Sequence, residues 1–107
     1  MLILVFVVGC GVDADVSRTV GARCDTKDDC NERCLVDADD YPGGICSVSC
    51  MDVRDCPGDT ACVDDEGGVC LFVCDSDADC EFMGPGWRCD SRDARPDSAG
   101  EVKVCRG

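Results

Sequence analysis

CMDVRDC, residues 50–56, has a counterpart on either side of it: CDTKDDC at 24–30 and CDSDADC at 74–80. Each is C-x5-C with an Asp directly before the second cysteine, namely Asp29, Asp55 and Asp79. Each also carries a helix-capping residue three positions before that Asp: Thr26, Asp52 and Ser76. A capping side chain followed three residues later by an acid is close to a capping box. The acid suits the positive end of a helix dipole. The spacing therefore predicts a single helical turn in each opening, with Thr26, Asp52 or Ser76 at its N-cap.

The stretches that follow look alike as well. CLVDADDYPGGIC (34–46) and CVDDEGGVC (62–70) share Val-Asp after their first cysteine and Gly-Gly-Ile/Val before their last. A short β-branched segment, an acidic glycine-rich turn and a returning segment form a hairpin signature. The third copy stretches the turn to DSRDARPDSAGE (90–101) and returns as Val102-Lys103-Val104. Strands this short do not hold by themselves, so the cysteines at their ends must fix them. The fold class expected is small and disulfide-rich, with three tandem four-cysteine modules at 24–49, 50–73 and 74–107. Each module is a short helical turn plus a β-hairpin.

Twelve of the 13 cysteines fall into these quartets. Four cysteines allow three connectivities. Pairing the first with the second would bridge residues six apart across the helical turn. Helical rise makes that about 9 Å, beyond the Cα limit of about 7 Å for a disulfide. Pairing the second with the third would have to span x3, x5 and x8 gaps in the three copies with one geometry. Pairing first with third and second with fourth tolerates that variation and pins the turn twice across the hairpin. The expected bridges are Cys24–Cys34, Cys30–Cys46, Cys50–Cys62, Cys56–Cys70, Cys74–Cys89 and Cys80–Cys105.

Such bridges are needed energetically. From Cys24 to Gly107, 17 of the 84 residues are Val, Ile, Leu, Met, Phe, Tyr or Trp. That is near the level at which a highly charged chain stays disordered. Cysteine above about 8–10% of a short exported chain signals a disulfide scaffold instead.

Residues 1–9 support export. Leu2 to Val8 is an unbroken apolar run, much shorter than the roughly 20 residues of a membrane span and within the range of a signal-peptide core. The last residues, Val7-Val8-Gly9-Cys10, resemble the bacterial lipobox. That resemblance implies removal of a signal peptide at 1–9 and a diacylglycerol on the Cys10 sulfur. It also accounts for the odd cysteine, since an exposed spare thiol is a hazard in an oxidising compartment. Residues 10–23 contain no cysteine after Cys10 and no clear period, and are expected to be a flexible, lipid-anchored tether.

Charge narrows the partners. Ten Lys plus Arg stand against 23 Asp plus Glu, a net charge of −13, and all of these charges lie after residue 12. Such a chain is unsuited to nucleic acid, which demands a basic surface. Anionic head groups would repel it, so the lipid tail would have to supply membrane attachment. The expected location is the cell envelope, lipid-anchored, or the extracellular space. An unknown protein or glycan would be its ligand.

The quartet pattern as a whole is similar to the N-terminal cysteine-rich region of Dickkopf proteins and to the first finger of colipase. In colipase, the resemblance implies first-to-third and second-to-fourth pairing. Cysteine-rich bacterial lipoproteins look like this too. The resemblance covers 24–107 as three divergent copies and rests on cysteine spacing, so it carries a fold and no partner.

Residues for catalysis are scarce. There is no His, hence no imidazole base or Ser-His or Cys-His pair. C-x2-C, the spacing of zinc sites and thioredoxin-type redox sites, is also absent. No enzyme activity and no cofactor are expected. Asp75, Asp77 and Asp79 alternate like the start of an EF-hand loop, making them a weak calcium candidate. The sixth position is Cys80 and the twelfth Gly86, where that loop needs Gly and Glu. Asp37, Asp39 and Asp40 form a second acidic cluster. Phe82 and Trp87, flanking Met83-Gly84-Pro85-Gly86, are either a small core under the long hairpin or an exposed partner-contact loop. Leu71-Phe72-Val73 is expected to pack modules two and three together, and the polar Ser47-Val48-Ser49 to leave the first junction looser. The function expected is a non-enzymatic, disulfide-stapled binding or structural lipoprotein of the envelope. The alternatives are a protease-inhibitor-like secreted module, whose adjacent Cys-Cys is missing here, and a calcium-dependent structural module.

Overall fold

The computed structural model describes residues 16–96 and 99–107. Each opening winds into a 3₁₀ turn, at Lys27–Asp29, Val53–Asp55 and Asp77–Met83. Each turn is followed by an antiparallel hairpin. The first joins β1 (Arg33–Leu35) to β2 (Ile45–Ser47), the second β3 (Thr60–Val63) to β4 (Val69–Phe72), and the third β5 (Arg88–Asp93) to β6 (Glu101–Arg106). The third turn is longer than the single turn expected. It runs past Cys80 and buries Cys80 and Met83.

The repeated Asp has the same task in all three turns. Asp29 Oδ2 accepts from the amides of Asp25 (2.8 Å) and Thr26 (3.3 Å). Asp55 Oδ2 does so from Met51 and Asp52, and Asp79 Oδ2 from Asp75 and Ser76. These amides are the donors a helix start leaves without partners. They hold the carboxyls of Asp29 and Asp79 below the usual carboxylate range. A depressed folded pKa adds stability that is full above the unfolded value, about 3.9 for Asp. That stability is lost as pH falls through the folded value. The melting temperature is therefore expected to fall on acidification below about pH 4. A chain carrying Asp29→Asn and Asp79→Asn, melted across the same range, should show a shallower fall.

The register explains the pairing. Cys34 lies opposite Cys46, Cys62 opposite Cys70, and Cys89 opposite Cys105. Residues directly opposite in an antiparallel pair project from the same face. The third and fourth cysteines of each module thus point together at the 3₁₀ turn, which offers the first and second. All six predicted bridges are present, with Cα–Cα distances between 5.3 and 5.9 Å. None links one module to another.

Gly44 and Gly68 stand two residues before the fourth cysteine of their modules, with φ of +75° and +108°. A Cβ there would lie 2.5 Å from the Cys24 carbonyl oxygen and 2.3 Å from that of Cys50, respectively. The shared Gly-Gly pair thus lets the returning strand cross the backbone of the first cysteine, besides making the turn.

Although no bridge joins the modules, they share one core. Val20 just before the first, Leu35 and Ile45 within it, Val63, Val69, Leu71 and Phe72 of the second, and Met83, Trp87 and Val104 of the third belong to a single buried cluster. Leu71 and Phe72 lie at the junction as predicted. Phe72 meets Phe82 edge-on, with ring centroids 5.3 Å apart, and the Val73 backbone bridges to Val104.

Two expectations need qualifying. The first junction has the smaller strand-to-strand contact, as expected, but its polar residues are not all left in water. Ser47 is fully buried and its hydroxyl donates to the Cys70 carbonyl at 2.8 Å, so its polarity is satisfied inside the core. Val48 is buried too, and its carbonyl accepts from the Cys70 amide. Nor is the whole of 10–23 a free tether. From Val16 onward the segment folds onto the first module. Val20 is buried, the Gly21 amide donates to the Cys46 carbonyl and the Cys46 amide to the Ala22 carbonyl.

Candidate functional site

Twelve of the predicted site residues are the half-cystines described above. Among the described residues, the groups of three potential metal ligands that converge are cysteine sets from within single modules, and every one of those sulfurs is already in a disulfide. The calcium candidate is not built as a cage. Asp79 caps its turn, and Asp77 Oδ1 accepts from the Cys89 amide at 2.9 Å, tying the third turn to β5. The Asp75 backbone carbonyl accepts from Lys103 Nζ at 2.7 Å. The other acidic cluster is similarly occupied. Asp37 Oδ1 accepts from the Gly43 amide at 2.7 Å, and Asp40 pairs with Arg106.

Phe82 and Trp87 part company. Trp87 is 4% exposed, and its indole N–H donates to the Pro42 carbonyl at 2.9 Å. It is not the exposed contact residue that one reading gave it; it docks the third module onto the first hairpin turn. Arg23 supports the same point, donating to the carbonyls of Pro42 and Met83. Phe82 remains 45% exposed.

The Pro42 turn also leads to a polar node that sequence reasoning missed. Arg106, its side chain 8% exposed, sends Nη2 to Asp40 (3.2 Å) and Nε to Asp65 Oδ2 (3.3 Å). Arg92 Nε approaches the same oxygen at 3.7 Å. Those Nε contacts are close enough for charge attraction but are not aligned as hydrogen bonds. Both Nε atoms, Asp65 Oδ2 and the buried Tyr41 hydroxyl lack hydrogen-bond partners among the described residues. Burial pushes the Asp65 carboxyl above its usual range, and Arg106 pulls it partly back. Burial, with the negative charges of Asp65 and Glu66, pushes the Tyr41 phenol up to about 12. The node joins Asp40 and Tyr41 of module one, Asp65 of module two, and Arg92 and Arg106 of module three. Its sequence signal was slight: the only Tyr, in an acidic turn, and an Arg next to the last cysteine.

Three surface depressions can be described, one of them about 450 Å³ and lined by Val73, Cys74, Asp75, Asp79, Glu101, Val102 and Lys103. A cleft of about 280 Å³ beside the node is lined by Asp64, Asp65, Ser91, Arg92, Asp93 and Glu101. A groove of about 160 Å³ is lined by Val16, Gly21, Ala22, Arg23, Ile45, Phe82 and Met83.

No protein-family model, curated protein or solved structure matches this chain. Six disulfides are the mark of an oxidising compartment, extracellular or in the cell envelope. Among the described residues no helix is long and apolar enough to cross a membrane. The expected signal peptide at 1–9 and the expected lipidation residue Cys10 lie outside the described residues.

Proposed function

We propose that this protein is an exported, non-enzymatic lipoprotein, held to a membrane through Cys10 and serving at the cell envelope as a rigid binding or structural module. One observation supports this most. Every cysteine from Cys24 onward is paired within its own module. Of 13 cysteines, Cys10 alone is left without a partner in the chain. It stands directly behind an apolar run in a lipobox-like setting, where a thioether to lipid would use the thiol. Two acyl chains on one sulfur meet the requirement of more than one chain for stable anchoring. The shared core and the node give the three modules one fixed shape, and the acidic surface is available to a protein or glycan ligand.

Cys10→Ser tests this reading. Wild-type protein from membranes should enter the detergent phase and carry the mass of a diacylated Cys10. Cys10→Ser should either appear in the aqueous phase or retain residues 1–9. A water-soluble wild-type chain beginning near residue 10, with an unmodified thiol, would overturn the anchor.

A further inference from the structure

We infer that the Val16–Phe82 groove is the membrane-facing side of the molecule and rests on the acyl-chain boundary of the bilayer; this builds on the lipid anchor proposed above. The first support is the distance in sequence between Cys10 and the groove. Val16 is six residues from Cys10. Six residues, even fully extended, span about 20 Å. A lipid on Cys10 therefore keeps Val16 within that distance of the bilayer. The second support is what surrounds Val16. It is 48% exposed and shares its groove with Phe82, 45% exposed, and with Met83 and Ile45. Two half-exposed apolar side chains, Val16 and Phe82, thus share one groove on the part of the fold that the anchor keeps near lipid.

The groove's charge does not oppose this contact. Its one charged side chain, Arg23, is fastened to the Pro42 and Met83 carbonyls. Val53, exposed on the second turn and outside this groove, serves as the comparison position. The contact itself can be weak. Attachment through six residues gives an effective concentration of about millimolar, enough for a small apolar surface to set orientation without providing attachment. An aromatic ring at the head-group boundary suits that role. With a net charge of −13, the rest of the surface favours facing water over anionic lipid.

The test separates this inference from the anchor. All six disulfides lie downstream of Cys10, so a chain beginning at Cys10 can be folded and its one free thiol coupled to a maleimide lipid. Attachment then no longer depends on cellular acylation. The vesicles are phosphatidylcholine, with or without bromine on the acyl chains. Wild type, whose sole tryptophan Trp87 is buried, gives the baseline. Phe82→Trp should show a blue shift on vesicles and at least about twofold stronger bromine quenching than Val53→Trp. Val16→Trp should behave like Phe82→Trp, which covers the case where either variant folds badly. Equal quenching at positions 82, 16 and 53 would overturn the inference. A blue shift at position 82 that grows with protein density but is insensitive to bromine would assign the groove to a second copy of the chain, and so would also overturn it.

Discussion

Complete reduction of the six disulfides without denaturant is expected to abolish the fold. Near-ultraviolet circular dichroism should vanish, and the cooperative melt with it. The reason lies in what the core is made of. Among the described residues, eight of the 22 buried apolar ones are half-cystines, so the bridges are also much of the interior. Their ring separations run from 10 to 25 residues. In the chain-entropy model each ring of this size contributes about 3 kcal/mol. Whole domains have about 5–15 kcal/mol of net stability. Even with strong non-additivity, losing six bridges leaves nothing to offset the chain entropy. Opening the largest ring alone, with Cys80→Ser and Cys105→Ser together, should cost about 2–5 kcal/mol in a denaturant melt. A chain shown by mass to be fully reduced and alkylated, yet still melting cooperatively, would mean that apolar packing alone suffices.

How far the sequence reveals this molecule depends on the range of the interaction. The 3₁₀ turns, the hairpins and the six bridges are written locally. Thr26, Asp52 and Ser76 stand a fixed three residues from the acids that complete their caps, and the cysteine spacing leaves one pairing compatible with all three copies. The errors concern contacts between distant segments. Val20 is buried, but in VSRTVGAR it is one of few apolar residues, and nothing in that segment shows that it lies under β2. Trp87 stands beside a Pro-Gly tip and reads either as a small core under its own hairpin or as a surface anchor. Its indole partner, the Pro42 carbonyl, is 45 residues upstream. Ser47 reads as a polar linker residue because its acceptor is the Cys70 carbonyl in the next module. Gly44 and Gly68 were legible as turn glycines, but not as residues that clear the carbonyls of Cys24 and Cys50. The groove at Phe82 was half legible, since the ring was noted and its neighbour Val16 was not.

The same distinction leads to Arg106→Ala, expected to be among the most damaging single substitutions outside the cysteines. Arg106 is the buried cation that faces both Asp40 and Asp65. Truncating it leaves the largely buried Asp65 carboxylate with only Arg92, at 3.7 Å. Breaking a buried pair from one side costs about 3–5 kcal/mol, because the remaining charge stays desolvated. At about 4–8 °C per kcal/mol for a domain of this size, the melting temperature should fall by more than about 10 °C. Replacing both partners is a different matter. Arg106→Met combined with Asp65→Asn removes the stranded charge and should recover much of the loss, giving a large coupling in a double-mutant cycle. The pH dependence supplies a second signature. Burial raises the folded pKa of Asp65 above its unfolded value, so its protonated form is favoured in the fold. Such a group contributes stability that is full below the unfolded pKa and lost as pH rises through the folded one. Without Arg106 the folded value rises further, so the penalty of Arg106→Ala should be greatest near neutrality and shrink on acidification. A penalty that is small, or constant from neutral to acid pH, would show that the node is not an electrostatic lock. If the penalty behaves as expected, the three covalently separate modules hold their arrangement through a charge cluster to which each contributes, as well as through their common core.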